Sequence, residues 1–237
     1  MEEFIRTEML LGRAAMERLS HAKVAVFGVG GVGGYVCEAL ARSGVGAFEL
    51  IDSDTVSVSN INRQIIATHS TVGRYKVDVM KERILDINPV AQVNTRTCFF
   101  LPENAHTFDF TQYDYVVDAV DTVSAKLALV VKAKECGIPI ISSMGAGNKL
   151  DATAFQVTDI YKTKVCPLAK VMRRELRKRG IDKLKVVYSQ EESLVPEQLE
   201  KVSGESNKRS VPGSIAFVPS VAGLILAGEV VKDLIGL

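Results

Sequence analysis

The chain has 237 residues, is 47% hydrophobic and carries a formal net charge of only +1, which suits a soluble, enzyme-sized globular unit with one large core. Its four cysteines, Cys37, Cys98, Cys136 and Cys166, form no CxxC pair, which excludes a zinc ribbon and a secreted disulfide scaffold and fits a reducing cytoplasm. The opening MEEFIRTEMLLGRAAMERL mixes both charges without a basic start and apolar run, so it reads as an amphipathic helix rather than a signal peptide.

From there, strand-like and helical patterns alternate. KVAVFGV (23–29) is a strand, 33–42 a helix, AFELID (47–52) a strand and 72–87 a helix. VNTRTCFF (93–100) and YDYVVDAV (113–120) are strands, 122–136 is a helix, and IPIISSM (138–144) is a further strand. This order predicts an α/β fold: a Rossmann-like, doubly wound, mainly parallel sheet with right-handed crossovers. TAFQVTDI, a basic helix, KLKVVYS and an apolar C-terminal helix follow as C-terminal additions to the same sheet. Residues 190–213 are polar and predict a mobile loop. Residues 210–228 carry no charge, but Pro212, Pro219 and three glycines interrupt them, and Glu229, Lys232 and Asp233 follow, so a buried helix is expected and no membrane span.

Charge is unevenly spread. Residues 162–185 hold ten Lys or Arg against Glu175 and Asp182, an excess of +8, so the remainder carries −7. On a helix, Leu168, Met172 and Leu176 form an apolar stripe and leave Lys170, Arg173, Arg174, Arg177, Lys178 and Arg179 as candidate contacts to an acidic partner, most naturally RNA. His21, His69 and His106 show no metal-ligand spacing, and Cys37 and Cys136 fall in helical patterns expected to be core.

Gly28, Gly30 and Gly33 form GxGxxG between a strand and a helix, where bare backbone amides and the helix dipole hold phosphate oxygens. Asp52, 19 residues after Gly33, ends the next strand and can accept both hydroxyls of a ribose, which serves NAD and ATP equally. Arg63 and Lys76 break the tie, because two cations near such a turn suit a triphosphate undergoing attack at phosphorus. Asp118 and Asp121, at the end of the fourth strand, supply a carboxylate that can hold magnesium against phosphate.

Together, the glycine loop with Gly31, the DSDTVSVSNINRQ segment, the later lysine and the DAVD strand end resemble the ATP-binding core of the ubiquitin-activating-enzyme superfamily over about residues 5–160. The resemblance implies one ThiF-type adenylating domain over 1–237. It also implies a nucleotide site built from Gly28, Gly30, Gly31, Gly33, Asp52, Asp54, Asn60, Asn62, Arg63, Gln64, Lys76 and Asp121. Within that set Arg63, Lys76 and Asp121 are implied to be catalytic and Asp121 the magnesium ligand.

The C-terminal part lacks the two CxxC pairs common in enzymes that activate a ubiquitin-like sulfur carrier. Instead, GAGNKLDATAFQVTDIYKTKVCPLAKVMRRELRKRGI resembles the tRNA threonylcarbamoyladenosine dehydratase branch, whose likeness spans the whole chain. It implies ATP and magnesium as cofactors with room for a monovalent cation, tRNA carrying threonylcarbamoyladenosine as substrate, and a cytoplasmic homodimer; a sulfur-transfer protein is a further candidate partner. In related adenylating dimers an N-terminal arginine reaches the ATP of the other subunit, and Arg6 is the candidate here. Some members of this branch carry a cysteine in the region matching RSVPGSIAF, where this sequence has none. Two rival readings are an adenylyltransferase for a sulfur carrier and a non-catalytic RNA-binding or sulfur-trafficking adaptor.

Overall fold

The computed structural model describes residues 2–196 and 212–237. Helices α1 (Ile5–Leu11) and α2 (Arg13–His21) precede β1 (Lys23–Phe27), α3 (Gly33–Arg42), β2 (Ala47–Ile51), α4 (Lys76–Ile87) and β3 (Gln92–Arg96). Then come β4 (Tyr115–Asp118), α5 (Val123–Glu135), β5 (Ile140–Ser143), β6 (Phe155–Asp159), α6 (Pro167–Arg177), β7 (Lys185–Ser189) and α7 (Phe217–Ile235). The seven strands form one sheet in the order β3-β2-β1-β4-β5-β7-β6, parallel throughout except for β6, which runs antiparallel to β7. The doubly wound sheet and its C-terminal additions are therefore as the sequence predicts. The proposed loop over 190–213 falls largely on residues 197–211, outside the described residues.

Both faces of the sheet are covered, so its central strands are apolar without alternation. Val24 and Val26 of β1 point into one core with α2, α3, α4 and α7, while Ala25 and Phe27 point into the other with α5 and α6. In the second core Phe27 meets Phe100, Phe108 and Phe110 at ring-centroid distances of 5.0 to 5.8 Å. This cluster pulls the chain off the sheet after Arg96, which is why β3 stops short of the expected 93–100. The helix expected from residue 72 begins at Lys76, because Gly73 adopts φ +87° and Tyr75 is extended. The N-terminal helix is two helices, broken at Gly12 with φ +82°. Cys37 is buried as expected, whereas Cys136 is half-buried because it caps α5 at its C-terminal end.

Residues 217–228 of the uncharged stretch form the first turns of α7, which bury Val218, Ala222, Leu226 and Ala227. Among the described residues, no helix is long and apolar enough to cross a membrane. Gly223 lets α7 cross α3 closely, since a Cβ there would lie 2.4 Å from the Val32 carbonyl oxygen. The last turns are tied to the sheet by the Tyr115 hydroxyl, which donates to Asp233 at 2.6 Å, and by Lys185 Nζ, which meets Glu229 at 2.9 Å and Asp233 at 2.8 Å.

On α3, Glu38 binds Arg83 Nε at 2.5 Å and Arg42 Nε at 2.8 Å, joining α3 to α4. Burial alone would raise its carboxyl, but the hydrogen bonds and charges of Arg83 and Arg42 outweigh it and hold the group below its ordinary 4.5. A carboxyl with a lower pKa folded than unfolded stabilises the fold above about pH 4.5, and that contribution is lost as pH falls through the depressed value. Urea titrations between pH 7 and pH 3 are expected to show stability falling with acid, with a shallower fall for Glu38→Gln. An unchanged slope would deny Glu38 this part.

Candidate active site

The carboxyl ends of β1, β2, β4 and β5 open onto a cavity of about 410 Å³, at the point where the strand order turns back between β1 and β4. Doubly wound sheets bind ligands at such a switch point. Gly28 takes φ +88°, and a Cβ there would stand 2.6 Å from the Ala119 carbonyl oxygen. At Gly33 a Cβ would overlap the Gly28 oxygen at 1.8 Å. These two glycines are required by backbone packing, and Gly33 lies beneath the cavity rather than on its wall. Gly30 and Gly31 do line it; a Cβ at Gly30 would meet nothing nearer than Gln64 Nε2, at 3.8 Å. Helix α3 starts here without a side-chain cap; Gly34 N and Tyr35 N turn back to Gly30 O and Val32 O, and the amides of Gly30, Gly31 and Val32 have no hydrogen-bond partner among the described residues.

Asp52 accepts from Val29 N at 2.7 Å and from Asp54 N at 2.9 Å, locking the glycine loop to the segment after β2. Asp54 accepts from Lys76 Nζ at 2.7 Å, and Lys76 is almost wholly buried. Arg63 lines the cavity and is held through one terminal nitrogen, which donates to Ser59 O and Asn62 Oδ1, both at 2.9 Å. Asp121 also lines it and has no hydrogen-bond or ion-pair partner among the described residues. Gln64 is buried with Oε1 unpartnered, as is Ser53 Oγ, and both belong to the cavity wall.

Besides Gly33, two predicted site residues stand back from the wall. Asn60 is buried and accepts from Ser57 N at 3.1 Å, shaping the turn that carries Arg63. Asn62 donates to Ser214 O at 2.9 Å and so ties that turn to the chain entering α7. Pro212, Gly213 and Ser214 complete the wall there. Asn148, at φ +57°, holds Gly213 from two sides: its N donates to Gly213 O at 2.8 Å and its Oδ1 accepts from Gly213 N at 2.6 Å. Asp118 is not available to a ligand either. It is fully buried and paired with Lys126, whose Nζ lies 3.1 Å from both carboxylate oxygens and 2.7 Å from Ser143 O. Lys126, part of the cavity floor, is not foreseen by any motif; a lone charge opening the apolar run KLALVV is its only signal in the sequence.

On α6, Met172 and Leu176 are buried as the stripe requires, while Leu168 reaches the wall of the cavity. The basic face is less free than its charge suggests. Arg174, Lys178 and Arg179 share Glu175 at 3.0 to 3.1 Å; the hydrogen bonds from Lys178 and Arg179 lead in pulling its carboxyl down to about 2. Arg173 is turned inward onto Thr163, binding its carbonyl and hydroxyl oxygens, and Arg177 lies over the Tyr161 ring. Lys170 is exposed and unpaired among the described residues. Arg6 is exposed on α1, beside Ile5, Met9 and Leu10, which are 56%, 82% and 83% exposed.

The ThiF family model matches residues 5–237. A tRNA threonylcarbamoyladenosine dehydratase of Bacillus subtilis is 47% identical, over 99% of this chain and 95% of its own. One from Escherichia coli is 37% identical over 98% and 93%. The crystal structure of the E. coli tRNA N6-threonylcarbamoyladenosine dehydratase in complex with AMP has a TM-score of 0.90 to this fold, at 35% identity, with 99% of this chain and 94% of that one covered. Its complex with ATP gives 0.89 at 34% with the same coverage.

The buried Asp118–Lys126 pair under the cavity sets a stability prediction. Lys126→Met leaves Asp118 buried without its cation and is expected to cost about 3–5 kcal/mol in denaturant unfolding. The double variant Asp118→Asn, Lys126→Met removes both charges and is expected to recover much of that loss; equal losses in single and double variants would show that packing, not the ion pair, dominates.

Proposed function

The chain belongs to the ThiF family, and from that premise we propose that it is an ATP-dependent adenylating enzyme that cyclises threonylcarbamoyladenosine in tRNA with net loss of water. The observation that carries this reading is one cavity walled by a bare glycine loop, Arg63, Lys76 and Asp121, in a chain alignable almost end to end with dehydratases of that name. The structural relative's ATP and AMP complexes support a nucleotide in this cavity.

In the proposed reaction, a carboxylate oxygen of the modified adenosine attacks the α-phosphorus of ATP. The bond to the bridging oxygen breaks, and pyrophosphate leaves with that electron pair. The amides of Gly30, Gly31 and Val32, just ahead of α3, hold phosphate oxygens, while Gly28 N and Val29 N stay engaged by Ile51 O and Asp52; Asp52 holds the ribose, and Arg63 and Lys76 stabilise charge growing on the phosphates. Both cations are already fixed by Asn62 and Asp54, so they need little reorganisation as that charge develops. Gln64 and Ser53 bring unpartnered polar atoms to the same wall. A single unpaired carboxylate beside phosphates fits magnesium, which keeps most of its shell as water and phosphate oxygen, so Asp121 is the residue that would hold it. Bound there, the ion would neutralise phosphate charge.

The acyl-adenylate then meets a nitrogen or oxygen already within the modified base. That atom attacks the acyl carbon, AMP departs carrying the former carboxylate oxygen, and a proton goes to solvent. High effective molarity of an internal nucleophile removes the need for an enzyme thiol. Lys170, Arg174 and Lys178 are the proposed phosphate contacts, with Arg177 and Arg179 beside them; Arg173, held on Thr163, supports the loop instead. In the proposed homodimer, Ile5, Met9 and Leu10 are covered by the second copy, and Arg6 on the same helix reaches its nucleotide.

Three measurements test this reading. With magnesium, labelled ATP and tRNA that does or does not carry the modification, AMP is expected only with modified tRNA, and the nucleoside is expected to lose the mass of one water. No AMP with either tRNA would overturn the function. Gly30→Ala is expected to fold with an unchanged urea midpoint yet bind ATP at least roughly tenfold more weakly, because its methyl enters the cavity. Gly28→Ala is expected to lose stability as well, since its Cβ meets backbone. Neutralising Lys170, Arg174 and Lys178 together is expected to weaken tRNA binding and flatten the dependence of log affinity on log salt by about one for each phosphate no longer neutralised. An unchanged slope would place the RNA elsewhere.

A further inference from the structure

We propose that a second concavity, at the far end of α6, is a stacking subsite for an unpaired base of the RNA, with Tyr161 and Arg177 as its platform; this rests on the RNA substrate proposed above. The concavity has a volume of about 510 Å³ and is bounded chiefly by Asp159, Tyr161, Lys162, Arg177, Ile181 and Asp182. Its aromatic floor is fixed at both ends. Tyr161 N donates to Asp159 Oδ1 at 2.8 Å, and the Tyr161 hydroxyl donates to Ile181 O. Gly180, at φ +68°, makes the turn that leads Ile181 back to that hydroxyl. The Arg177 guanidinium carbon stands 5.1 Å from the ring centroid.

Single-stranded RNA is recognised by stacking bases on aromatic rings and guanidinium planes, beside cations that track the backbone. A half-exposed tyrosine locked in one orientation loses little entropy when a base arrives. The charges suit such a ligand. Asp159 is occupied by Tyr161 N and by Leu184 N at 3.0 Å, which leaves Lys162 and Arg177 for phosphate and Asp182 as an acceptor for amino groups on a base edge.

Position links this subsite to the catalytic cavity. Leu168 lines the first cavity and Arg177 the second, nine residues apart on one helix, about 14 Å along its axis at 1.5 Å per residue and half a turn apart around it. Exposed Lys170 and Arg174 lie between them. A strand whose modified base enters the first cavity can run along α6 and place a neighbouring loop base on Tyr161.

The chain contains no tryptophan, so Tyr161→Trp introduces a unique fluorophore into the subsite. Its emission is expected to be quenched as modified tRNA is added, and not by ATP alone. Tyr161→Ala is expected to weaken tRNA binding roughly tenfold with ATP affinity unchanged, while Tyr161→Phe, which keeps the ring, stays within about threefold of the unaltered chain. Saturating tRNA without quenching, together with normal tRNA affinity of Tyr161→Ala, would overturn the subsite; modification-dependent AMP release by the unaltered chain would then leave the proposed function standing. Absence of both tRNA binding and AMP release in the unaltered chain would overturn the two together.

Discussion

Between the ends of β1 and β4 the backbone at Gly28 runs against Ala119, and α3 begins where Gly33 packs on the Gly28 carbonyl. The position of every group on the cavity wall depends on that close approach. It brings the glycine loop onto the end of β4, and it lets Asp52 reach Val29 from β2. The fourth strand then delivers two carboxylates a turn apart in opposite environments. Asp118 is sealed with Lys126, and Asp121 is left open at the wall. A side chain at either glycine would separate these elements, so the same backbone packing governs both the sheet and the geometry of the site.

The C-terminal additions extend this arrangement. α7 packs on α3 and is tied by Asp233 and Glu229 to β4 and β7, which fixes the chain immediately ahead of it at the cavity. Asn62 and Asn148 grip that approach from the two sides, at Ser214 and Gly213. Helix α6 packs on the opposite face and contributes Leu168 to the wall. The site is thus bounded by elements far apart in the chain, which motif spacing alone does not reveal.

That division separates what is legible in the sequence from what is not. The order of strands and helices follows from local periodicity, and α3 begins and ends where the pattern places it because a glycine loop and Ser43 bound it. Periodicity overextends helix α4 and strand β3 for two different reasons: a left-handed glycine before Lys76, and the aromatic cluster that removes Phe100 from the sheet edge. Residues brought to the wall by local sequence, such as Gly30, Gly31, Asp52, Arg63, Gln64, Lys76 and Asp121, are legible in the motif. Lys126 and the Pro212–Ser214 segment are not, since only the fold sets them beside the glycine loop. The charge excess near α6 is legible as a number, but its distribution is not: Glu175 engages three of the cations and Thr163 a fourth.

The wall also has a charge balance of its own. Its ionic side chains are Asp52, Asp54 and Asp121 against Arg63, Lys76 and Lys126, three of each sign, with Lys76 and Lys126 already engaged by carboxylates. Buried Asp118 also cancels Lys126, so the wall offers little general attraction to anions, and free phosphate or a stray polyphosphate gains little by entering. In the proposed reaction, selectivity for a triphosphate would then come from the shape of the glycine loop and from the magnesium proposed to accompany the nucleotide. The exposed cations of α6 act in the opposite manner, through long-range attraction that salt weakens. On the proposed reading, rising ionic strength would therefore loosen a polyanion on that helix well before it disturbed a nucleotide in the cavity.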